Sequence, residues 1–219
     1  MANHTKEKRA APTFVPQAAG PARAPAQPDV AFFKKHDWLS AAVTFVIALA
    51  VYTYSLAPTL TLEDSGELVV AADYLGVPHP PGYPLWTILA WIFQWIFHFV
   101  RYLGQPNPAW GVNFMSGFFG ALTTATIALL VSRSGLTLLR SFRQQEDEGQ
   151  TSRMDAIICW DSGISAGLLI AFCPFLWSQC TIAEVYSLNA FLHLLILALL
   201  YVWMHRPKRD ALLYGMAMA

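Results

Sequence analysis

The sequence predicts an all-α, polytopic integral membrane protein, and three observations support this fold class. Charged residues make up 13% of the 219-residue chain, whereas soluble domains average about 25%. Hydrophobic residues reach 55% and aromatic residues 14%, with eight tryptophans, which suits a protein that meets the membrane–water interface. Five uncharged runs are also long enough to span a bilayer, which needs about 20 mostly apolar residues.

The charge balance excludes one class of function. The 14 basic and 14 acidic residues give a formal net charge of zero, and nucleic-acid binding needs a clustered basic surface. We therefore expect no nucleic-acid partner. The cysteines, Cys159, Cys173 and Cys180, lack metal-ligand spacing, and we interpret them as small buried apolar residues.

Residues 1–37 are predicted to form a disordered cytoplasmic tail. Prolines alternate there with Ala, Gly and Gln, and no apolar period runs through the segment. Such a stretch cannot bury enough surface to offset the entropy lost on ordering. Its basic residues, among them Lys34 and Lys35, favour the cytoplasmic side. The first helix, at 38–56, is then an uncleaved anchor that runs outward.

The charges also indicate which uncharged runs cross the membrane. If all five cross, the basic residues within 133–153 and 206–209 lie outside, which contradicts the positive-inside rule. If the run at 83–103 lies on the outer surface instead, both basic loops become cytoplasmic and the outer segments are mainly acidic. The second arrangement is the preferred one.

The composition of 83–103 supports an external juxtamembrane helix. Gln94, His98 and Arg101 are spaced at i, i+4 and i+7 and therefore share one helical face. Amphipathic rings that favour the headgroup region accompany them: Trp86, Trp91, Trp95, Phe97 and Tyr102. The alternative is an ordinary spanning helix with an aromatic belt.

The remaining elements complete the predicted topology. They are an external segment at 57–109, a second helix at 110–132, a cytoplasmic loop at 133–156, a third helix at 157–177 and a fourth at 186–204. Gly111, Gly117 and Gly120 on the second helix favour close helix packing. Residues 211–219 resemble the start of a fifth helix, so we interpret 38–219 as the truncated, N-terminal part of a transmembrane domain.

The external segment holds the residues best suited to chemistry. They are Glu63, Asp64, Glu67, Asp73 and His79. Adjacent Glu63 and Asp64 repel each other when both are ionised unless a cation or hydrogen bonds compensate. Asp64 is suited to act as a general base, and paired carboxylates can hold a divalent cation. Alternatively, these acids only solvate a loop, Glu67 only occupies the first turn of a helix, and His79 is only a turn residue between prolines.

Three blocks of sequence resemble a known family. The blocks are Glu63-Asp64-Ser65-Gly66-Glu67 continuing to Pro78-His79-Pro80-Pro81-Gly82-Tyr83-Pro84, then Val112-Asn113-Phe114-Met115-Ser116-Gly117, and Ala183-Glu184-Val185-Tyr186. Together they cover about residues 50–205. They resemble membrane glycosyltransferases of the GT-C superfamily related to the protein O-mannosyltransferases that act on plexin-type receptor domains. The resemblance implies a GT-C-like helical bundle and a much longer full-length chain.

The same resemblance implies a reaction and a site. A sugar would pass from a polyprenyl-phosphate donor to a protein or glycan acceptor on the external face of a bacterial inner membrane or an ER-type membrane. Asp64 and Glu184 would be the catalytic residues, and Glu67, His79 and Tyr83 would contact the donor or substrate. Glu63 stands where many relatives have an aromatic residue, and we assign it as a candidate ligand of a divalent cation.

Other functions remain open at this stage. A non-catalytic membrane subunit or scaffold could dock a partner through the outer loop, and the incomplete fifth helix favours this reading slightly. A transporter is less favoured because the predicted helix centres carry no charged residues, which normally mark a transport path. Glu184 also has a simpler interpretation as an interfacial acid that caps the fourth helix.

Overall fold

The computed structural model describes residues 32–143, 152–205 and 215–216. In this part of the chain the helices are α1 (Lys35–Tyr54), α2 (Ser65–Asp73), α3 (Pro84–Ile96), α4 (Pro108–Arg143), α5 (Arg153–Ala171), α6 (Pro174–Cys180) and α7 (Tyr186–His205). A short antiparallel hairpin joins β1 (Arg101–Tyr102) to β2 (Gln105–Pro106). The predicted tail, up to residue 31, and most of the incomplete helix at 211–219 lie outside the described residues.

Four of these helices are long and apolar enough to cross a membrane: α1, α4, α5 and α7. They correspond to the four predicted spans and confirm the all-α polytopic class. Helix α3 has 13 residues, which at 1.5 Å per residue is about 20 Å, shorter than a bilayer core of about 30 Å. This length is compatible with a juxtamembrane helix, but the prediction that Gln94, His98 and Arg101 share one helical face was wrong. Helix α3 ends at Ile96, so His98 lies in the following turn and Arg101 in β1, and Gln94 is buried with its side-chain amide donating to the Val69 carbonyl.

The first spanning helix begins and ends earlier than predicted, and the second extends beyond both of its predicted ends. Helix α1 begins at Lys35 rather than at residue 38 because the buried Asp37 carboxylate accepts hydrogen bonds from the Lys34 backbone N–H (2.8 Å) and the Ser132 hydroxyl (2.6 Å). These contacts cap the helix and tie it to α4. Helix α4 continues to Arg143, and so occupies the first part of the segment predicted as a cytoplasmic loop.

The third spanning helix differs from its predicted extent of 157–177. It begins at Arg153, where the Ser152 hydroxyl accepts hydrogen bonds from two backbone N–H groups of the first turn, and it ends at Ala171. Pro174 cannot continue the helical hydrogen bonding, so it opens the separate helix α6. The prediction of one continuous helix to residue 177 was therefore wrong.

Glycines let the helices approach α4 closely. A Cβ on Gly111 would lie 2.9 Å from the Phe93 carbonyl oxygen of α3, and one on Gly117 would lie 3.2 Å from the Cys180 carbonyl oxygen of α6. At Gly120 a Cβ would coincide with the Cys180 sulfur. The predicted role of these glycines is thus confirmed. Cys159 and Cys180 are buried and free, as predicted, and Cys173 is half-buried.

Contacts between helix ends define two ends of the bundle. Phe32, next to α1, packs on Tyr201 of α7 with ring centroids 5.5 Å apart, and Arg133 of α4 lies 4.8 Å from the same ring. At the other end the Ala57 N–H donates to the Thr181 carbonyl at 2.9 Å. The segments that follow α1 and α6 therefore meet at one end of the bundle. Which side of the membrane this end faces stays a prediction.

Candidate active site

Two asparagines hold the segment after α1 in place: Asn113 of α4, and Asn107, which directly precedes α4. The Asn113 side-chain amide donates to the Ala57 carbonyl at 2.9 Å and to the Thr59 carbonyl at 3.1 Å. Asn107 donates to the Pro58 carbonyl at 2.7 Å. These bonds fix the backbone that leads to the acidic residues. Contacts with the start of α4 therefore help to position α2.

A turn with a strained backbone precedes α2. Glu63 adopts a left-handed backbone conformation (φ 67°), which is uncommon for a residue with a side chain. Asp64 is the N-cap of α2, and its carbonyl accepts the Leu68 N–H at 2.9 Å. Asp64 and Glu67 are three residues apart, so their side chains share one face of the first turn.

His79 joins these two carboxylates into one cluster. Its backbone N–H donates to Glu67 Oε1 at 2.6 Å, its Nδ1 lies 3.3 Å from Glu67 Oε2, and its Nε2 lies 3.9 Å from Asp64 Oδ2. The backbone and side-chain hydrogen bonds from His79 hold the pKa of Glu67 below its ordinary value. One ligand atom from each of the three residues lies within 4.8 Å of the others.

Tyr83 connects this cluster to α3. Its ring stacks edge-on against the His79 ring with centroids 5.7 Å apart, and its backbone is left-handed (φ 42°). Pro84 follows as the first residue of α3, where its missing N–H removes no helical hydrogen bond.

Glu184 reaches the same region from the turn between α6 and α7. Its residue is only 4% exposed. The Trp86 indole N–H donates to its carbonyl at 3.1 Å, and Ser116 both donates to that carbonyl and accepts from the Glu184 N–H, each at 3.3 Å. These contacts fix its backbone between α3 and α4.

Glu184 follows Ile182, which lines one depression with Glu63, so this buried acid lies close to the segment that leads into α2. Burial raises the pKa of its carboxyl group above the ordinary value, and the Val185 N–H opposes this rise. The charges of Glu63 and Asp64 raise the pKa further, while His79 lowers it. An approaching positive charge would therefore favour the ionised form of Glu184.

A cavity of about 360 Å³ opens beside these residues. Its lining is mainly apolar and comes from the starts of α3 and α7: Tyr83, Pro84, Leu85, Trp86, Val185, Tyr186, Leu188, Asn189 and Leu192. Tyr83 touches both the cavity and His79. The polar cluster and the apolar cavity are therefore neighbours.

Comparison with known proteins identifies the family. Residues 64–219 match the family described as "Protein O-mannosyl-transferase TMEM260 N-terminal domain". The chain belongs to the TMEM260 family. The matched range includes Asp64, Glu67, His79, Tyr83 and Glu184, and begins just after Glu63.

Two TMEM260 relatives illustrate the extent of the similarity. Protein O-mannosyl-transferase TMEM260 of Mus musculus is 34% identical over 155 residues, which are 71% of this chain and 18% of the relative. Protein O-mannosyl-transferase tmem260 of Dictyostelium discoideum is 29% identical over 179 residues, 80% of this chain and 18% of the relative. The chain thus spans about a fifth of the length of these curated relatives. No solved structure matches it.

The structure brings together most of the predicted site residues of this TMEM260-family chain. Asp64, Glu67 and His79 form the cluster and Tyr83 borders it. Glu184 lies on the α6–α7 turn, whose Ile182 shares a depression with Glu63. Glu63 is not part of the three-residue cluster and lines a shallow depression with Thr61, Leu62 and Ile182.

Sequence reasoning missed the positioning role of three residues, and it placed one of them, the buried Trp86, among the rings at the headgroup region. Trp86 and Ser116 fix the Glu184 backbone, and Asn113 fixes the start of the external segment. Asn113 and Ser116 are fully buried polar residues in an otherwise apolar span. Their i, i+3 spacing on one face was a signal that this face of α4 contacts polar backbone groups.

Proposed function

We propose that this chain contributes the N-terminal part of a membrane O-mannosyltransferase. In this proposal a mannosyl unit passes from a polyprenyl-phosphate donor to a hydroxyl group of a protein or glycan acceptor on the external face. The observation that carries it is the meeting of the Asp64–Glu67–His79 cluster with Glu184 beside an apolar cavity. The names of the relatives support mannosyl transfer, and the distribution of charges supports the external face.

The apolar cavity suits the lipid part of the donor. Its walls of Trp86, Leu188 and Leu192 would contact the isoprenoid units nearest the phosphate. Tyr83 stands between the cavity and His79, so the phosphate of a lipid held there would lie near the His79 imidazole. His79 is the donor-phosphate contact in this proposal.

Asp64 acts as the general base. Its side chain is 61% exposed and therefore accessible to an acceptor hydroxyl group. The hydroxyl oxygen attacks the anomeric carbon while its proton passes to the Asp64 carboxylate. The bond between the anomeric carbon and the phosphate oxygen breaks, polyprenyl phosphate leaves, and the anomeric configuration is inverted.

Glu184 and Glu67 position the reacting groups. The backbone of Glu184 is held by hydrogen bonds from Trp86 and Ser116, and its carboxylate would orient the acceptor. Glu67 holds His79 through its two carboxylate oxygens. Fixed groups of this kind lower the barrier because they need little reorganisation during the reaction.

The experiment is the Asp64→Asn substitution in the full-length protein. The amide keeps the shape of the side chain but cannot accept the proton, so we expect mannosyl transfer to fall by about 10²-fold or more. Asp73→Asn is the matched control because Asp73 is an exposed acid of the same helix outside the cluster. Transfer at the wild-type rate by Asp64→Asn would refute the base assignment. A folded wild-type protein without any transfer would favour the scaffold function.

A further inference from the structure

We propose that a cavity between α3 and the segment that leads into α4 binds a pyranose sugar ring. The cavity has a volume of about 340 Å³ and is lined by Asp73, Trp91, Gln94, Trp95, His98 and Asn107, with the two prolines that flank Asn107. It shares no residue with the Asp64–Glu67–His79 cluster or with the apolar cavity beside that cluster. The claim concerns sugar binding and holds whether or not the chain transfers mannose.

Two buried side-chain amides of the lining have fixed orientations. The Gln94 amide nitrogen donates to the Val69 carbonyl at 3.1 Å, and the Asn107 amide nitrogen donates to the Pro58 carbonyl at 2.7 Å. Because a carbonyl oxygen only accepts hydrogen bonds, these contacts decide which end of each amide is nitrogen and which is oxygen. Both residues are 6% exposed, so the surrounding packing holds the two amide oxygens in place.

Both of these oxygens lack a donor. Gln94 Oε1 is buried without a hydrogen-bond partner, and Asn107 Oδ1 accepts a hydrogen bond from no described residue. A buried acceptor without a partner is unfavourable and uncommon in folded proteins. Hydroxyl groups of a molecule in the cavity would supply the missing donors. The two amides therefore point to a ligand that carries several hydroxyl groups.

The tryptophans add an apolar wall. Trp91 and Trp95 are at positions i and i+4 of α3, so their side chains are neighbours. They are 40% and 68% exposed, which leaves ring surface free for a ligand. A pyranose ring carries C–H groups on its faces and hydroxyl groups around its edge. Its face can therefore pack on an indole ring while its edge meets the amide oxygens.

The charges of the lining favour a neutral ligand. None of the described residues that line the cavity is Lys or Arg, so an anionic ligand would lack a partner. Their one carboxylate belongs to Asp73, which is exposed at the end of α2. A cation beside the buried amides would lose hydration without a buried counter-charge. A sugar avoids this cost and does not need the charge of Asp73.

The cavity is separate from the proposed reaction centre. Asp64 is the N-cap of α2 and Asp73 is its last residue, which at 1.5 Å per residue places them about 13 Å apart along the helix. A pyranose in the cavity is therefore not the sugar that the cluster would transfer. It would be one unit of a glycan that the protein holds beside the site.

The test is saturation-transfer-difference NMR on the purified full chain in amphipol, which carries no sugar. The ligands are the methyl α-pyranosides of mannose, glucose and galactose, and we expect at least one to bind, with the strongest transfer to its ring C–H protons. Trp95→Ala should weaken binding at least about tenfold, and a side chain so exposed can be removed without unfolding the protein. Trp38→Ala is the matched control because Trp38 is an exposed tryptophan outside the cavity.

Further ligands separate a sugar from other occupants. Mannitol has the hydroxyl groups of mannose without the ring face and should not bind, and Asp73→Asn should bind the glycoside as the wild type does. The proposal is overturned if none of the three glycosides binds, if Trp95→Ala binds as well as the wild type, or if mannitol binds equally. Binding of tetramethylammonium that Asp73→Asn abolishes would identify a cation site instead. Because this assay does not measure sugar transfer, its failure is distinct from a failure of the proposed transferase function, which Asp64→Asn tests.

Discussion

At the scale of single residues, Glu184 couples the stability of the fold to pH. Burial raises the pKa of its carboxyl group, so above the ordinary value of 4.5 the folded state binds more protons than the unfolded state. The free energy of unfolding then falls as pH rises through the window between 4.5 and the folded-state pKa. The ionised form is the destabilising one.

The unfolding temperature of the Glu184→Gln variant should therefore rise relative to that of the wild type as pH increases. In EDTA we expect a small difference at pH 4.5 and an advantage of about 2 °C or more at pH 8. The measurement is intrinsic tryptophan fluorescence during heating in detergent. Asp73→Asn is the control because it makes the same carboxyl-to-amide change at an exposed position. A difference between Glu184→Gln and wild type that stays constant with pH would contradict the argument.

Candidate site residues could be proposed from the sequence, but their contacts could not. Asp64 and His79 stand out because carboxylates, histidine and prolines crowd one short external segment. The bond between Glu67 and the His79 backbone depends on the path of the loop between them. The contact of Ser116 with Glu184 spans 68 residues, and only the packing of α4 against the α6–α7 turn creates it.

At the scale of elements, close contact between α4 and α6 sets the position of the turn that carries Glu184. Cys180, the last residue of α6, packs against Gly120 of α4 with no room for a further carbon atom. Overpacking of this kind costs about 1–3 kcal/mol. The Gly120→Ala variant should therefore unfold several degrees below the wild type in the same fluorescence assay.

A second substitution shows whether this contact is the cause. Cys180→Ala removes the sulfur that the new methyl group would meet, so the Gly120→Ala/Cys180→Ala double variant should recover part of the loss. Gly66→Ala is the matched control because a Cβ on this helical glycine meets no atom within 4 Å. Equal losses in the single and double variants would contradict the proposed contact.

The elements themselves were predicted well because hydrophobic length marks a spanning helix. Their ends were predicted less well. Helix α1 starts early because of the Asp37–Ser132 bond, a tertiary contact that no local pattern reveals. Pro174, where α6 begins, is a helix-breaking residue. Because the residues on both sides of it are apolar, the segment was nevertheless predicted as one continuous span.

At the scale of the whole molecule, the two segments that supply the site lie at one end of the bundle. Helices α1, α4, α5 and α7 alternate in direction, so the segment after α1 and the turn before α7 meet. This arrangement requires that α3 does not cross the membrane. If it crossed, the chain would enter α4 from the opposite side.

Cysteine accessibility tests this topology. In a chain whose native cysteines are replaced by alanine, single cysteines at the exposed positions Leu62, Leu103 and Ser141 would react with a membrane-impermeant maleimide in sealed vesicles of known orientation. With α3 on the surface, Leu62→Cys and Leu103→Cys react from the external side and Ser141→Cys from the cytoplasmic side. With α3 spanning, Leu103→Cys and Ser141→Cys exchange sides while Leu62→Cys does not.

The result also decides whether the polar cluster can meet an external acceptor. Leu62 directly precedes the acidic residues, so external labelling of Leu62→Cys places Asp64 on the side that the proposed reaction requires. The short length of α3, about 20 Å for its 13 residues, favours the surface arrangement on physical grounds independent of the charge rule. Labelling of Leu62→Cys from the cytoplasmic side would exclude transfer to an external acceptor.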